Sequence, residues 1–384
     1  MTRTALYVFF GAAFLLLLAF ATGSAAFLAP ACLLFGTLLY ALLSVLLASR
    51  DVRLSASLRD ERVRRGEETQ MEIAGAMKSF LPVAPLVLHV RILPGEEAQV
   101  MEIPCTSQEV RYVLPIPSLH AGVLTPGIEK CEVVDLFGLF RRSLPQFVSS
   151  QELLVLPVPF EVTPLAYAQL DAGLGTMARA TEDITSPADI RSYQSGDPMK
   201  KIHWKLSLRK QELLVRRFDE PVLPDALVLL DCEVPRANDS PGLRDALLET
   251  ALSVMLCEMH RDHTLHLPLM GVQPTETNSR MGETLVAEHL ARLVMREGSS
   301  FEEVLLMEKR RLRGVGATVV ISSYLSGDMV EIMRDMRRFG PTLRLYYVTP
   351  DPGNEEILPF IHRLQTADCE VLYVTPAGLA APES

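Results

Sequence analysis

A chain of 384 residues has room for two or three domains and a sizeable core. It carries 37 basic and 47 acidic residues, a net charge of −10, yet 48% of it is hydrophobic and its mean hydropathy is +0.20. High hydropathy excludes a disordered chain, and an acidic balance argues against a general nucleic-acid binder.

The apolar excess lies at the start. Between Arg3 and Arg50 there are 46 consecutive residues without Asp, Glu, Lys or Arg. One bilayer crossing takes about 20 apolar residues, so this run suits two helices and would overshoot as one. Thr22, Gly23 and Ser24, followed by Pro30, supply the break, which predicts helices over about 5–22 and 27–48 within a transmembrane hairpin at 1–49. Arg50, Arg53, Arg59, Arg62, Arg64 and Arg65 follow the second helix. Cationic flanks favour the cytoplasmic side, so both termini and the soluble domains are expected there, in a two-pass protein of the cell membrane. A cleaved signal peptide ending near Ser24-Ala25-Ala26 is the competing reading, weakened by a sparse positive n-region and the second apolar stretch.

From about 50 to 165, short runs such as QMEIAG, LVLHVRIL and KCEVVDLFGLF alternate with Pro and Gly. They predict a small antiparallel β-sandwich-like domain. Cys105 and Cys131 are expected to be buried strand residues. The six cysteines contain no CxxC pair, which points to reduced, mostly buried thiols.

Residues 166–220 contain the most unusual charge pattern. Over 189–217 eight basic residues face three acidic ones, a local +5, whereas residues 66–384 as a whole carry thirty basic against forty-four acidic, a net −14. Such a basic island is a candidate surface for an acidic partner, a phosphate-bearing ligand or lipid headgroups. It also holds the single Trp of the chain. Ser195-Gly196-Asp197-Pro198 reads as a turn and MKKIHWKLSLRK as a short amphipathic helix, with Ile202 and Leu206, and Trp204 and Leu208, one turn apart. In the simpler reading Trp204 and the apolar residues anchor the segment to a sheet while Lys and Arg form a solvated face. In the sharper one Asp197 orients Arg191 or Arg209 in a buried ionic network.

From 221 to 384 strands and helices alternate: DALVLLD, LRDALLETALSVMLCEMH, TLHLPLMG, ETLVAEHLARLVM, GATVVISS, DMVEIMRDMRRF, TLRLYYVTP, EILPFIHRLQ and CEVLYVTP. That rhythm predicts a three-layer α/β domain with a mostly parallel sheet and a crevice at the carboxyl ends of its strands, where Asp231 stands.

The basic segment closely resembles the signature of the domain of unknown function 58 family. Its Tyr-x-x-Gly-Asp turn, basic pair, Ile-x-Trp-Lys step, Arg and Leu-Leu-Val-Arg strand are here Tyr193, Gly196, Asp197, Lys200, Lys201, Ile202, Trp204, Lys205, Arg209 and Leu213 to Arg216. DLFGLFR at 135–141 resembles the family's Asp-Pro-Phe-Gly-Leu-Phe segment with Leu136 in place of Pro. The resemblance implies a von Willebrand factor A-like carboxyl half. It also implies work beside MoxR-type AAA ATPases and other membrane or envelope proteins, hence an adaptor or assembly role. A metal site of that fold needs Asp-x-Ser-x-Ser; this chain has Asp231-Cys232-Glu233-Val234-Pro235, without either hydroxyl, so Asp231 is only a weak metal candidate and a cap or loop hydrogen-bond role is expected.

Other patterns carry less. Cys257, His260, His263 and His266 have zinc-ligand types, but a spacing of three on one helix does not converge four ligands. His260-Arg261-Asp262 lacks the rest of a kinase site. No P-loop is present, so the chain is not itself an ATPase, and no cofactor is expected. Ser207 beside His203 lacks an orienting carboxylate and an oxyanion hole. No catalytic residue is assigned, and the reading is a non-catalytic interaction protein. The alternative is a hydrolase-like enzyme around Asp231 and residues 191–209.

Overall fold

The structure, a computed structural model, describes residues 2–106, 108–167, 187–192, 202–218, 226–234, 240–261, 263–267, 275–277, 282–296, 301–312, 315–376 and 378–379. It divides into two units, Met1–Leu156 and Pro157–Ser384.

The first unit opens with helices α1 (Arg3–Thr22) and α2 (Ala25–Ala48), each long and apolar enough to cross a membrane. Thr2 caps α1 by accepting the Ala5 N–H, Gly23 leaves it with φ +65°, and Ser24 caps α2 by accepting the Ala26 N–H. Only glycine adopts that left-handed turn without a Cβ penalty. Pro30 lies inside α2, within the span expected for that helix, and the turn itself is made by Gly23 and Ser24. The buried stripe is small, with Ala5, Ala12 and Ala19 on α1 and Ala31, Leu38, Ala41, Val45 and Ala48 on α2. Small residues let two apolar helices approach closely where no hydrophobic force separates them from lipid.

Beyond the hairpin come β1 (Val52–Leu58), β2 (Arg62–Arg64), β3 (Glu68–Met77), β4 (Leu86–Arg91), β5 (Gln99–Ile103), β6 (Val110–Pro117), β7 (Gly122–Leu124), β8 (Gly127–Val134), β9 (Arg141–Ser143), β10 (Ser149–Ser150) and β11 (Leu153–Leu156). They form sheets ordered β1-β3-β6, β10-β8-β4-β5 with β9 on β8, and β2-β11-β7. The pairing is antiparallel except that β11 runs parallel to β2, which the hairpin-like spacing of the sequence did not suggest. Alternate residues Met71, Ile73 and Met77, Leu86, Leu88 and Val90, and Leu153 and Val155 share one core. Cys131 is in that core, but Cys105, expected there, is exposed beyond the end of β5.

In the second unit β12 (Pro187–Ser192) pairs antiparallel with β13 (Leu214–Phe218), and α3 (Trp204–Lys210) lies between them in sequence. The main sheet holds β14 (Ala226–Leu230), β15 (Leu265–Leu267), β16 (Thr275–Thr277), β17 (Ala317–Ser322), β18 (Thr342–Val348), β19 (Glu370–Thr375) and β20 (Gly378–Leu379) in the order β16-β15-β14-β17-β18-β19-β20. Strands β15, β14, β17, β18 and β19 are parallel, with β16 and β20 antiparallel at the edges. Every residue of β14 and β17 is buried, the continuous apolar pattern of a strand covered on both faces. One face packs on α6 (Phe301–Glu308), α7 (Gly327–Arg337) and α8 (Leu358–Gln365) through Leu305, Met329, Met333, Ile361 and Leu364. Helix α4 (Ser240–Met259) runs beside β14, β17, β18 and β19, and α5 (Glu283–Ala291) packs on α4.

Candidate functional site

Counted from β14, the first six strands of the main sheet stand in the order 3-2-1-4-5-6, so the order reverses between β14 and β17. In such sheets ligands bind outside the carboxyl ends of the two strands at that point. Asp231 follows β14 and Ser322 ends β17. The Ser322 hydroxyl donates to Asp231 Oδ2 at 2.7 Å, the Glu233 N–H donates to Oδ1 at 2.9 Å, and the Asp231 N–H donates to Ile321 O at 2.8 Å. Burial pushes the Asp231 carboxyl up to about 6; the two hydrogen bonds pull against this, while the charges of Glu233 and Glu302 add to it. Asp231 is thus an acid that ties its own loop and the end of β17 through its two carboxylate oxygens. Glu302, in the first turn of α6, is a neighbour that sequence reading missed, and it accepts from Ser326 Oγ at 2.9 Å. Its helix was legible in Phe301, Val304 and Leu305 at helical spacing behind two acids. Among the described residues no group of three or more His, Cys, Asp or Glu is arranged to hold a metal.

In the signature segment two antiparallel strands flank a short helix in sequence. Arg191 pairs with Val215 and Arg216 with Ile190 across β12 and β13, and Ile202 bridges to Val215. His203 begins α3, its Nδ1 accepting the Leu206 N–H, and Gln211 ends it with φ +55°. Ser207 is buried against β13, accepting the Leu214 N–H at 2.9 Å. It locks helix to strand, and the His203 ring is spent on the helix cap rather than on Ser207. Ile202, Leu214 and Val215 are buried, but Trp204 is 56% exposed and Leu208 78% exposed. The expectation that Trp204 and the apolar residues anchor the segment to a sheet is therefore corrected in part: Ile202 does so, with Ser207, but Trp204 and Leu208 share an outward face with exposed Arg209 and Lys210 near them. Lys205 lies in α3. Tyr193, Gly196, Asp197, Lys200 and Lys201 lie outside the described residues, and so does the proposed Asp197 network.

A third feature was not foreseen. Residues 157–167 form an extended strap along α4. Its backbone donates from Val158 to Glu249, from Phe160 to Ser253 and from Leu165 to Glu258, and the Tyr167 hydroxyl reaches Glu258 at 2.8 Å. From β18, Arg344 donates to Thr163 O at 2.6 Å and Pro164 O at 3.1 Å while pairing with Glu370 at 2.7 Å. Burial pushes Glu258 up, but hydrogen bonds from Leu165, His263 and Tyr167 and the charge of Arg261 outweigh it and hold its carboxyl below the usual range. The His/Cys run is divided among different partners: Cys257 Sγ faces Val162 O of the strap, His263 binds Glu258 at 2.7 Å, His260 binds Glu283 at 2.8 Å, and His266 is buried in β15. The four do not converge on one point. Burial raises the Cys131 and Cys369 thiols to about 11 and Cys232 to about 12, as inert structural thiols behave.

No curated protein matches the chain. Among solved structures, the sporulation control protein Spo0M from Bacillus subtilis is 12% identical, with 27% of this chain and 49% of that one covered at a TM-score of 0.17. The exo-chitosanase CsxA of Amycolatopsis orientalis is 8% identical over 85% of this chain and 33% of its own, at 0.16. Cwp6 from Clostridium difficile is 8% identical over 77% and 49%, also at 0.16. The chain spans about half the length of Spo0M, and at such scores none of the three lends it a fold or a function. Residues 189–371, which open with the β12 and α3 signature and end in β19, match the family described as "Protein of unknown function DUF58".

Proposed function

We propose that the chain is a membrane-anchored, non-catalytic interaction protein that works with a MoxR-type AAA ATPase or neighbouring envelope proteins in assembly or maturation. The observation that carries this reading is the exposure of Trp204 and Leu208, one turn apart on α3. Large apolar side chains ringed by cations are typical anchors of protein interfaces, with Trp and Arg the most frequent hot spots. A +5 segment in an otherwise acidic body would steer an acidic partner to this face. Helices α1 and α2 supply the anchor, and the arginines after α2 favour a cytoplasmic location for both termini and both soluble units. The strand order and the place of Asp231 after the first strand suit a von Willebrand factor A-like unit, one in which Glu233 and Pro235 replace the two metal-binding hydroxyls.

The test is affinity purification of the full chain from detergent-solubilised membranes, followed by mass spectrometry. An AAA ATPase or envelope protein should co-purify, and Leu208→Asp or the pair Lys200→Glu and Lys201→Glu should reduce its recovery about tenfold or more, the scale of one lost hot spot. Recovery at background, or unchanged in all variants, sinks the reading. The alternative, a hydrolase-like site around Asp231 and residues 191–209, draws on the raised Asp231 carboxyl at the strand-order reversal. It requires a hydrolytic activity that Asp231→Asn abolishes.

A further inference from the structure

Two loops of the first unit are fastened to the apolar hairpin. The first, 135–140, turns between β8 and β9. The Asp135 carboxylate accepts the N–H groups of Phe137 at 2.8 Å and Phe140 at 2.5 Å, and Gly138 takes φ +68°, so the turn is preorganised. Its backbone is tied to the start of α1: Thr2 donates to Leu139 O from its N–H at 3.1 Å and from its hydroxyl at 2.7 Å. Leu139 packs in one cluster with Ala5, Leu38 and Ala41. The Phe137 ring meets Tyr40 of α2 edge-on at 6.3 Å. The second loop, between β3 and β4, is tied to the same tyrosine, whose hydroxyl donates to Pro82 O at 3.1 Å.

The depth of these contacts follows from helix geometry. Helix α1, at 20 residues, is about 30 Å long, the thickness of the hydrocarbon layer. Thr2 is therefore at the boundary, and so is the loop bonded to it. Tyr40 is the sixteenth residue of α2, about 24 Å from the hairpin tip, which places its ring at or just inside the same boundary. What the two loops display there is apolar: Phe80 is 93%, Leu136 57% and Phe137 56% exposed. Behind the tips stand exposed Lys78, Arg141 and Arg142, with Arg141 paired to Glu132.

We infer that the loops over 79–83 and 135–140 form a second membrane contact, in which Phe80, Leu136 and Phe137 enter the headgroup and acyl boundary and Lys78 and Arg142 face anionic headgroups. Apolar tips with cationic shoulders are the composition of segments that lie in the interface. The occupant is lipid because the tips continue the outward apolar surface of the hairpin, which includes Phe9, Phe10, Phe14 and Leu39, at the level where that surface leaves the bilayer. Tyr40 and Phe137 then form part of an aromatic belt. The inference rests on reading α1 and α2 as membrane spans and is independent of what docks on α3.

The single native Trp makes the test direct. In a Trp204→Phe background, full chains carrying Phe80→Trp, Phe137→Trp, Phe14→Trp or Leu119→Trp are reconstituted in phosphatidylglycerol-containing nanodiscs with lipids brominated either near the headgroup end or near the methyl end of the acyl chain. Leu119 lies just past β6, at the end of the β1-β3-β6 sheet opposite Val52, and serves as the water-exposed reference. Phe80→Trp and Phe137→Trp should show blue-shifted emission and lose at least half their intensity to the bromines near the headgroup end, as Phe14→Trp, near mid-bilayer, does to those near the methyl end, with Leu119→Trp unaffected by either. If both loop probes behave like Leu119→Trp while Phe14→Trp is quenched, the loops stand in water or against protein, and the inference fails while the anchor survives. If Phe14→Trp is also unquenched, the anchor reading fails with it.

Discussion

The Ser322 hydroxyl and the Asp231 carboxylate meet at 2.7 Å across the ends of two adjacent parallel strands, where strand order reverses. The pairing closes the crevice floor with one neutral donor and one buried acid, and it leaves that acid short of the solvation a full charge requires.

A pH signature follows. The folded carboxyl, at about 6, lies above its unfolded value of about 3.9, so between those limits the folded state holds the extra proton. Stability should fall as pH rises through that window and stay lower above it. Asp231→Asn removes the charge, and at pH 7.5 it should stabilise the second unit by about 2 kcal/mol, with the two proteins converging near pH 4. Thermal unfolding across that range checks it; a variant less stable at pH 7.5 would show that Asn cannot satisfy Ser322 and Glu233.

Glu258 should behave in the opposite sense. Its folded carboxyl is held low, so its contribution is present above the unfolded value and is lost as pH falls through the folded one. Glu258→Gln weakens a buried acceptor of Leu165, Tyr167 and His263 and should cost about 3 kcal/mol at neutral pH. Limited proteolysis should cut within 157–167 first in this variant; cleavage elsewhere at unchanged rate would count against the strap's dependence on Glu258.

Arg344→Lys keeps the charge but gives up the planar fork that reaches Thr163 O, Pro164 O and Glu370 together. A loss of about 2 kcal/mol is expected in denaturant unfolding. A loss near zero would mean that the strap carbonyls are satisfied without it.

On the signature helix, Ile202→Ala should cost about 2 to 4 kcal/mol, because Ile202 is buried, while Trp204→Ala and Leu208→Ala should each cost well under about 1 kcal/mol. Equal losses at all three positions would contradict the exposed placement of the tryptophan.

In the first unit, a Cβ on Gly127 would lie 2.1 Å from Ser149 O and 2.6 Å from Ser150 Cα. Backbone cannot yield as a side-chain tip does, so Gly127→Ala should break the β8 to β10 pairing and cost about 2 kcal/mol or more. An unchanged urea midpoint would rule out the close approach.

Much of the architecture is legible in the residues themselves. The charge-free run fixes two long helices, and the alternation after 220 anticipates the parallel sheet because its central strands, ALVLL and ATVVIS above all, are short, mostly apolar runs between helical stretches. What the sequence conceals is tertiary. Thr275–Thr277 is too short for a periodicity to register, and the pairing of Arg62–Arg64 with Leu154–Leu156 joins residues some ninety positions apart with nothing local to signal it. A lone Trp reads as an anchor because large aromatics usually go inside. Here Ser207 and Ile202 fill the contact with β13 and turn the ring outward. The strap was invisible because its partners, Glu249, Ser253 and Glu258, read only as ordinary polar positions of a helix.

The strap also has a bearing on how the chain reaches its native state. Its residues emerge early in synthesis, yet Arg344 and Thr342, which hold Thr163, Pro164 and Ala166, are 176 to 181 positions later. Contacts so distant in sequence close large loops and form late. Residues 157–167 can therefore meet α4 first, but Thr163, Pro164 and Ala166 are held only once β18 has been made, and the second unit is sealed by the oldest part of its own sequence.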